Sequence, residues 1–246
     1  MHRLLTLLLT AAIGLLALPG FAQDSLSPDK VFLLIGQSNM AGRAALEDGD
    51  DQPIARVQLL DDQGKWIPAT NPLNRFATDR KVLSMQRISP GFGFAKAVSK
   101  AFPDVTIGLI SNARGGTSVE QWQKGQPLYD NTIKRLQAVK SLKIDGVIWH
   151  QGEANRDDPK YLGKLQNLIE SLRADLKSPN LPFVAGEIYG EAPVNDLLGQ
   201  LPGKVPATGV ASASGLKVFD KVHFDRKSQI TLGKRYAEQM LKLLGN

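Results

Sequence analysis

A serine, a histidine and an aspartate stand where they could form the reactive group of a nucleophilic hydrolase. Ser38 directly follows the apolar run at 31–35, within Gly-Gln-Ser-Asn-Met at 36–40, so it lies on the turn that leaves a predicted strand. Asp220 precedes His223 by three residues, a spacing that allows one turn to hold both side chains on the same side. In such a group the carboxylate orients the imidazole, which accepts the proton of the attacking hydroxyl.

The sequence offers two histidines after its N-terminal apolar segment, His150 and His223, and only His223 has an acid close in sequence. We therefore predict that His223 is the base, and that His150 is a supporting residue beside Trp149. Ser38 taken alone also fits a helix N-cap, which is a common use of serine. Met40 stands where the Gly-x-Ser-x-Gly elbow of an α/β-hydrolase has glycine, which disfavours that fold.

Two further polar clusters follow predicted strands, and they also supply candidate groups for this chemistry. Gly115 and Gly116 leave room for backbone N–H groups to face an oxyanion, or they form an ordinary strand-to-helix turn. Gln151 offers a side-chain amide that could be a further donor or could fix a loop. Trp122 has an aromatic face that suits a sugar ring, and it equally fits a core position.

The elements that must position these residues alternate between strand-like and helix-like patterns. Short apolar runs, typical of strands buried on both faces, lie at 31–35, 106–110, 146–149, 183–188 and 210–212. Helical periodicity is present at 93–102, 128–142, 161–176 and 228–244. This alternation predicts a parallel sheet with right-handed crossovers, whose carboxyl edge collects all the polar clusters.

Three segments do not follow this strand–helix alternation. Residues 56–60 and 65–68 predict an inserted hairpin. Residues 71–90 and 191–206 show little regular pattern and are candidate substrate loops.

Composition indicates an exported protein of a single domain. Residues 1–22 have a short basic start, an apolar stretch and small residues before position 23, which predicts a cleaved signal peptide followed by one domain at 23–246. We therefore expect a bacterial protein of the periplasm or the extracellular space, with no stable membrane anchor after cleavage. The sequence has no cysteine, so its stability does not depend on disulfides.

Charge and motif content exclude several classes of function. The formal net charge is +6, but the basic residues are scattered and form no patch or module that would indicate a nucleic-acid partner. The acidic segment at 47–51 lacks the spacing of a calcium loop, and no metal-binding histidine motif or phosphate loop is present. We therefore expect neither a metal nor an organic cofactor.

Four segments in this order resemble the SGNH hydrolase superfamily, and within it the group of sialate O-acetylesterases and acetylxylan esterases (carbohydrate esterase family 6). They are Gly-Gln-Ser-Asn-Met at 36–40, Ala-Arg-Gly-Gly-Thr at 113–117, Trp-His-Gln-Gly-Glu at 149–153 and Asp-Lys-Val-His at 220–223. The resemblance extends from about residue 30 to the C-terminus. It implies an α/β fold, a three-layer α/β/α sandwich around a five-stranded parallel sheet of the flavodoxin-like kind.

The resemblance also implies roles for individual residues. It implies Ser38 as nucleophile, His223 as base and Asp220 as its partner. The oxyanion donors would be the backbone N–H groups of Ser38 and Gly115 and the side-chain amide of Gln151. Substrate contacts are expected from Asn39, Gly116, Glu153, Asn155 and Trp122.

The third oxyanion donor has an alternative assignment. An asparagine supplies it in the broader superfamily, so Asn155 is the alternative to Gln151. Members of the narrower group usually have aspartate after Gln-Gly-Glu, whereas this chain has Ala154 and Asn155.

The activity implied is that of a serine esterase that removes O-acetyl groups from carbohydrates such as sialic acid, xylan or related glycans. One alternative is a lipase, thioesterase or acetyltransferase of the SGNH type with the same three residues. A second alternative, from a different class, is a non-catalytic carbohydrate-binding protein of the cell envelope. Such a protein would bind glycans equally well after Ser38→Ala.

Overall fold

The computed structural model describes residues 27–79, 82–139 and 143–245, so the predicted signal peptide at 1–22 lies outside the described residues. The strands are β1 (Lys30–Gly36), β2 (Val57–Leu60), β3 (Trp66–Pro68), β4 (Ile107–Ser111), β5 (Ile144–His150), β6 (Phe183–Gly186) and β7 (Thr208–Ala211). The α-helices are α1 (Ser38–Ala41), α2 (Pro90–Ala101), α3 (Pro127–Gln137), α4 (Tyr161–Asp175), α5 (Pro193–Gly199), α6 (Leu201–Lys204) and α7 (Arg226–Leu244).

All seven strands belong to one sheet, in the order β3-β2-β4-β1-β5-β6-β7. The five predicted strands pair in parallel in the order β4-β1-β5-β6-β7, which confirms the predicted α/β class. The predicted hairpin extends this sheet: β2 pairs in parallel with β4, and β3 pairs antiparallel with β2. The sheet therefore has seven strands instead of five. The added strand β2 buries the apolar side chains of Val57 and Leu59 in the core, which favours its place in the sheet.

Two apolar clusters, one on each face of the sheet, make the fold three-layered. Successive residues of β1 point to opposite faces, so Leu33 joins one cluster while Phe32 and Leu34 join the other. The first cluster includes residues of α3, α4 and α5, and the second includes residues of α2 and α7. Helices therefore cover both faces, as a parallel sheet with buried strands requires.

Helices α2 and α7 approach each other at two glycines. A Cβ on Gly93 would lie 2.2 Å from the backbone oxygen of Ile230, and a Cβ on Gly233 would lie 2.1 Å from the backbone oxygen of Pro90. Because these are backbone atoms that cannot rotate away, the two helices can pack at this distance only with glycine at both positions.

Two predicted segments differ in detail from the structure. The weakly patterned segment 191–206 contains α5 and α6, which bury Val194, Leu198 and Leu201. The helix predicted at 128–142 corresponds to α3, which ends at Gln137, and residues 140–142 lie outside the described residues. In the described part of segment 71–90, a short 3-10 helix at Leu83–Met85 precedes α2, which begins at Pro90. Among the helices described, none has the length and apolar character that crossing a membrane requires.

Candidate active site

Ser38, His223 and Asp220 form a continuous hydrogen-bonded chain at the carboxyl edge of the sheet. The Ser38 Oγ lies 2.9 Å from Nε2 of His223, and Nδ1 of His223 lies 2.6 Å from Oδ2 of Asp220. Ser38 begins α1 directly after β1, and the His223 loop precedes α7. The distances fit a histidine that can take a proton from the serine while the carboxylate orients its ring.

The Asp220 carboxylate also stabilises the turn that carries the histidine. Its Oδ1 accepts the backbone N–H groups of Val222 and His223 at 2.8 and 2.7 Å. Desolvation raises the pKa of Asp220, but these two hydrogen bonds and the His223 ring together outweigh it and lower the pKa to about 2. The carboxylate is therefore ionised over the whole range in which a histidine titrates, and it can stabilise an imidazolium at His223.

Backbone hydrogen bonds bring the Gly115 loop next to Ser38. The N–H of Gln37 donates to the backbone oxygen of His150 at 2.8 Å, and the N–H of Arg114 donates to that of Gly36 at 2.9 Å. Within the described residues, the backbone N–H groups of Ser38 and Gly115 donate no hydrogen bond. Two donors of this kind, close to a serine, are what an oxyanion requires.

Asn39, predicted to contact substrate, is instead buried behind the candidate nucleophile with no exposed surface. Its Nδ2 donates to the backbone oxygen of Val222 at 3.0 Å, and its Oδ1 accepts the backbone N–H of Phe224 at 3.1 Å. These two residues flank His223, so a single side chain on the nucleophile helix holds both ends of the histidine turn. The Oδ1 also accepts from Gln229 Nε2 at 2.9 Å, at the start of α7.

Glu153 and His150 lie next to Asn39, and their side chains are 8% and 0% exposed. Oε1 of Glu153 accepts from Asn39 Nδ2 at 2.6 Å and lies 3.6 Å from Nε2 of His150. Nδ1 of His150 lies 3.0 Å from the hydroxyl of Tyr236. Burial alone would raise the pKa of Glu153, but His150 and Asn39 outweigh burial and lower it. The predicted substrate residue Glu153 therefore supports Asn39, and His150 supports Glu153.

The two candidates for a third oxyanion donor contact each other in the interior. Nε2 of Gln151 donates to Oδ1 of Asn155 at 2.8 Å and to the backbone oxygen of Thr117 at 3.2 Å. Oδ1 of Asn155 also accepts the N–H of Val119 at 2.8 Å, while its Nδ2 donates to Glu120. Both amides are engaged within the protein, and neither forms a hydrogen bond with Ser38. The assignment of a third donor to Gln151 or Asn155 stays a prediction.

The remaining sequence predictions divide between core and surface. Trp122 is only 1% exposed, packs edge-to-face on Trp149 and donates from Nε1 to Thr117, so the structure places it in the core. Gly116 is exposed next to Gly115, with a φ of 76°.

Phe219 is an aromatic side chain that the sequence analysis missed. It is 57% exposed, and its ring stacks on His223 with 6.0 Å between centroids. Its position directly before Asp220 was the feature of the sequence that could have identified it.

Comparison with known proteins identifies relatives of this chain. The family described as carbohydrate esterase, sialic acid-specific acetylesterase matches residues 28–242. The chain belongs to this family. A protein of Arabidopsis thaliana described as a probable carbohydrate esterase is 30% identical over 244 residues, covering 89% of this chain and 93% of that protein.

Three solved structures share the fold of this chain. The crystal structure of the Arabidopsis protein superposes with a TM-score of 0.78 at 28% identity and covers 88% of this chain and 99% of its own. The structure of NanS has a TM-score of 0.70 at 18% identity, covering 89% of this chain and 99% of its own. A carbohydrate acetylesterase from Xanthomonas citri has a TM-score of 0.63 at 22% identity, covering 88% and 57% respectively. The last two show the common fold.

Proposed function

We propose that this carbohydrate esterase is a serine esterase that removes O-acetyl groups from sugars through an acetyl-enzyme. The observation that carries the proposal is the hydrogen-bonded chain from Ser38 through His223 to Asp220. Membership of a carbohydrate esterase family supports the class of substrate. The names of the Xanthomonas citri acetylesterase and of the family itself support acetyl as the group removed.

The proposed mechanism uses only groups of this chain and water. The Ser38 Oγ attacks the acetyl carbonyl while Nε2 of His223 accepts the hydroxyl proton, and Asp220 stabilises the resulting imidazolium. Backbone N–H groups of Ser38 and Gly115 stabilise the oxyanion, where losing one donor typically reduces turnover by about 10²–10³-fold. His223 then protonates the departing sugar oxygen. A water molecule, deprotonated by His223, releases acetate and restores Ser38.

The exposed surface around His223 suits a sugar as the leaving group. The ring of Phe219 is exposed beside the imidazole, and Val222 on the same turn is 36% exposed. An aromatic face next to the base could stack on the sugar from which the acetyl group departs. Together with the predicted signal peptide, this suggests an enzyme that acts on glycans outside the cytoplasm.

The test is acetate release from p-nitrophenyl acetate and a panel of acetylated glycans by wild type and by Ser38→Ala. We expect the variant to lose about 10⁶-fold in turnover, as a serine hydrolase does without its nucleophile. Ser178→Ala, after the far end of α4, is the matched control and should retain wild-type rates. Turnover that survives in Ser38→Ala would show that another group is the nucleophile.

The related candidates are distinguished by the same panel. Longer acyl esters hydrolysed faster than acetyl esters would favour a lipase or thioesterase, and acetyl transfer to an added sugar would favour an acetyltransferase. A wild-type protein that hydrolyses no ester, yet binds glycans as tightly as Ser38→Ala, would be the non-catalytic binding protein.

The pH dependence of turnover should follow the protonation of His223. Because the pKa of Asp220 is about 2, this carboxylate does not titrate in the range where a histidine base loses activity. We therefore expect kcat/KM for p-nitrophenyl acetate to fall with decreasing pH in a single step, as one proton binds to the base. A steady-state profile that is flat from neutral to acidic pH would contradict His223 as the base.

A further inference from the structure

Two loops beside Ser38 carry most of the exposed large apolar side chains of the described residues. Large apolar side chains are usually buried, and a group of them in solvent marks a surface that binds something. Seven are exposed within 27–79, 82–139 and 143–245, and five of these lie on the loops at 82–88 and 216–223. We call these five the apolar rim: Val82, Leu83, Met85, Phe219 and Val222.

The first of these loops borders the nucleophile through Arg43. Nη1 of Arg43 donates to the backbone oxygen of Met85 at 3.1 Å. A Cβ placed on Gly115 would lie 2.5 Å from Nη2 of Arg43 and 3.4 Å from Cβ of Ser38. A single guanidinium therefore links the loop at 82–88 to the surface next to Ser38.

Buried residues at the end of this loop hold it in place. Gln86 is buried, and its Oε1 accepts from Nδ2 of Asn74 at 2.9 Å. Ile88 has no exposed surface and forms a β-bridge with Ala44. The loop thus buries a glutamine and exposes three apolar side chains, which is the reverse of what stability alone favours.

The second loop borders the base. The ring of Phe219 stacks on that of His223 with 6.0 Å between centroids, and the N–H of Phe219 donates to the backbone oxygen of His223 at 3.0 Å. Val222 lies on the same turn, which Asp220 holds through the N–H groups of Val222 and His223. The apolar side chains of this loop are therefore exposed on a turn that the active site itself keeps fixed.

Basic side chains accompany the apolar rim on both loops. Arg87, Lys217 and Lys221 are exposed, and none of them forms an ion pair within the described part of the chain. Asp220 is the one carboxylate in the segments 82–88 and 216–223, and it is bound to His223. The two loops therefore present apolar groups together with positive charge that no carboxylate neutralises.

We propose that the apolar rim docks reversibly on an anionic lipid bilayer, where the active site meets acetylated sugars carried by membrane lipids. The choice of substrate rests on the proposed function, whereas docking does not. Apolar side chains flanked by lysine and arginine suit the surface of such a bilayer, because burial of the former and attraction of the latter add. A sugar in solution would cover the ring of Phe219 but has few apolar groups to cover Val82 and Leu83.

Sedimentation with vesicles tests docking without turnover. We expect Ser38→Ala protein to bind vesicles of phosphatidylglycerol and phosphatidylcholine, and to bind pure phosphatidylcholine more weakly. Adding Val82→Ser and Leu83→Ser should weaken partition into the anionic vesicles by about 10- to 100-fold, because two apolar side chains no longer enter the bilayer. Val82→Ile with Leu83→Met keeps both positions apolar and is the matched control, which should bind as Ser38→Ala does.

The contribution of charge has its own variants. Arg87→Gln and Lys217→Gln should each weaken partition into the anionic vesicles about fivefold, the effect of one basic residue at such a surface. Lys242→Gln is the control, because Lys242 is exposed in the last turn of α7, about 24 Å along the helix from its start near His223. It should leave partition unchanged.

Turnover tests the choice of substrate. The two rates compared are acetate release from an O-acetylated alkyl glucoside embedded in anionic vesicles and from O-acetylated glucose in solution. We expect Val82→Ser with Leu83→Ser to lower the ratio of the first rate to the second by about 10-fold or more. An unchanged ratio would overturn the assignment of lipid-linked sugars as substrates.

The docking surface itself has two contrary outcomes. Failure to bind anionic vesicles, or equal binding by Ser38→Ala with and without the two serine substitutions, would overturn docking. A wild-type dimer in light scattering that these substitutions dissociate would show that a second copy covers the apolar rim, and would overturn it as well. Hydrolysis of p-nitrophenyl acetate that depends on Ser38, measured without vesicles, would still sustain the esterase. Failure of the two proposals can thus be told apart.

Discussion

At the scale of single residues, Asn39 joins the candidate nucleophile helix to the turn that carries the base. It holds Val222 and Phe224, on either side of His223, and is itself held by Glu153. A side chain next to the nucleophile in sequence thus sets the position of the base, which comes from the other end of the chain. The sequence identified Asn39 and Glu153 as candidate site residues. It could not show towards which side of a four-residue helix the Asn39 side chain points.

Asn39→Ala should therefore reduce catalysis by displacing His223. The change leaves the backbone oxygen of Val222, the N–H of Phe224 and the amide of Gln229 without this partner, and a misplaced base of this kind costs about 10²-fold in rate. We expect kcat for p-nitrophenyl acetate to fall by about that factor with a smaller change in KM.

Asn195→Ala is the matched control for this substitution. Asn195 binds backbone groups of Ile188 and Gly190 in another loop, so the variant loses comparable hydrogen bonds away from the triad. We expect both variants to lower Tm in thermal unfolding, Asn39→Ala by more because it also leaves Glu153 without this donor, and only Asn39→Ala to lose kcat. Equal kcat in the two variants would show that Asn39 does not position His223.

At the scale of elements, a cluster of charged and amide groups joins the segments that surround the predicted oxyanion residues. Lys164 of α4 binds Asp158 at 2.7 Å and also contacts Glu120, while Asn155 donates to Glu120 at 3.0 Å. Asn155 in turn accepts from Gln151. The cluster thus connects α4 to two short 3-10 helices at Val119–Trp122 and Glu153–Asn155. The sequence predicted neither 3-10 helix, because three or four residues carry too little periodicity.

This cluster should make stability depend on acid pH. Desolvation raises the pKa of Glu120, but hydrogen bonds from Lys164, Asn155 and Ser118 outweigh it and lower the pKa to about 2. Since a lowered carboxyl pKa stabilises the fold above the ordinary value, the contribution is complete above about pH 5 and is lost as the pH falls towards 2.

Glu120→Gln tests this contribution, since it keeps an amide oxygen for Asn155 and removes only the charge. We expect Tm at pH 7 to fall by about 1–3 °C, a small effect because Glu120 is partly exposed. The difference from wild type should disappear near pH 2. Glu238→Gln, on the exposed surface of α7, is the control and should leave Tm unchanged at both pH values. A difference for Glu120→Gln that persists at pH 2 would contradict the assignment.

At the scale of the whole molecule, the packing of α7 on α2 fixes where the His223 turn ends. Helix α7 begins three residues after His223 and crosses α2 where Gly93 and Gly233 allow the backbones to meet. Alanine is a better helix former than glycine by about 0.5–1 kcal/mol, which alone would make Gly233→Ala stabilising. The clash of the new Cβ with the backbone of Pro90 outweighs this gain, because forcing extra atoms into a packed core typically costs about 1–3 kcal/mol. The substitution should therefore lower the free energy of unfolding.

Gly163→Ala in α4 is the matched control, because nothing lies within 4 Å of the position that its Cβ would take. We expect this variant to raise the free energy of unfolding by about 0.5–1 kcal/mol, and Gly233→Ala to lower it. Denaturation by urea measures both. Stabilisation by both substitutions would show that the two helices do not approach each other as closely as the structure has them.

The sequence predicted the overall architecture better than the surroundings of the serine. The five parallel strands were predictable because each contains a short, largely apolar run, whereas the attachment of β2 and β3 to the sheet depends on pairing between distant segments. Ser38, Asp220 and His223 could be found because strand ends and close spacing leave a signal in the sequence. Phe219 left a weaker signal, its position directly before Asp220, because its contact with the His223 ring is created only in the folded chain.

The central claim is that Ser38 is a nucleophile activated by His223, and chemical labelling tests it most directly. Wild type, Ser38→Ala and His223→Ala are incubated with a fluorophosphonate, and peptide mass spectrometry locates the adduct. We predict one adduct, on Ser38, forming at the rate at which esterase activity disappears. Labelling should be absent in Ser38→Ala and slower by orders of magnitude in His223→Ala. Loss of activity with the label on another residue, or equal labelling rates in wild type and His223→Ala, would contradict the account.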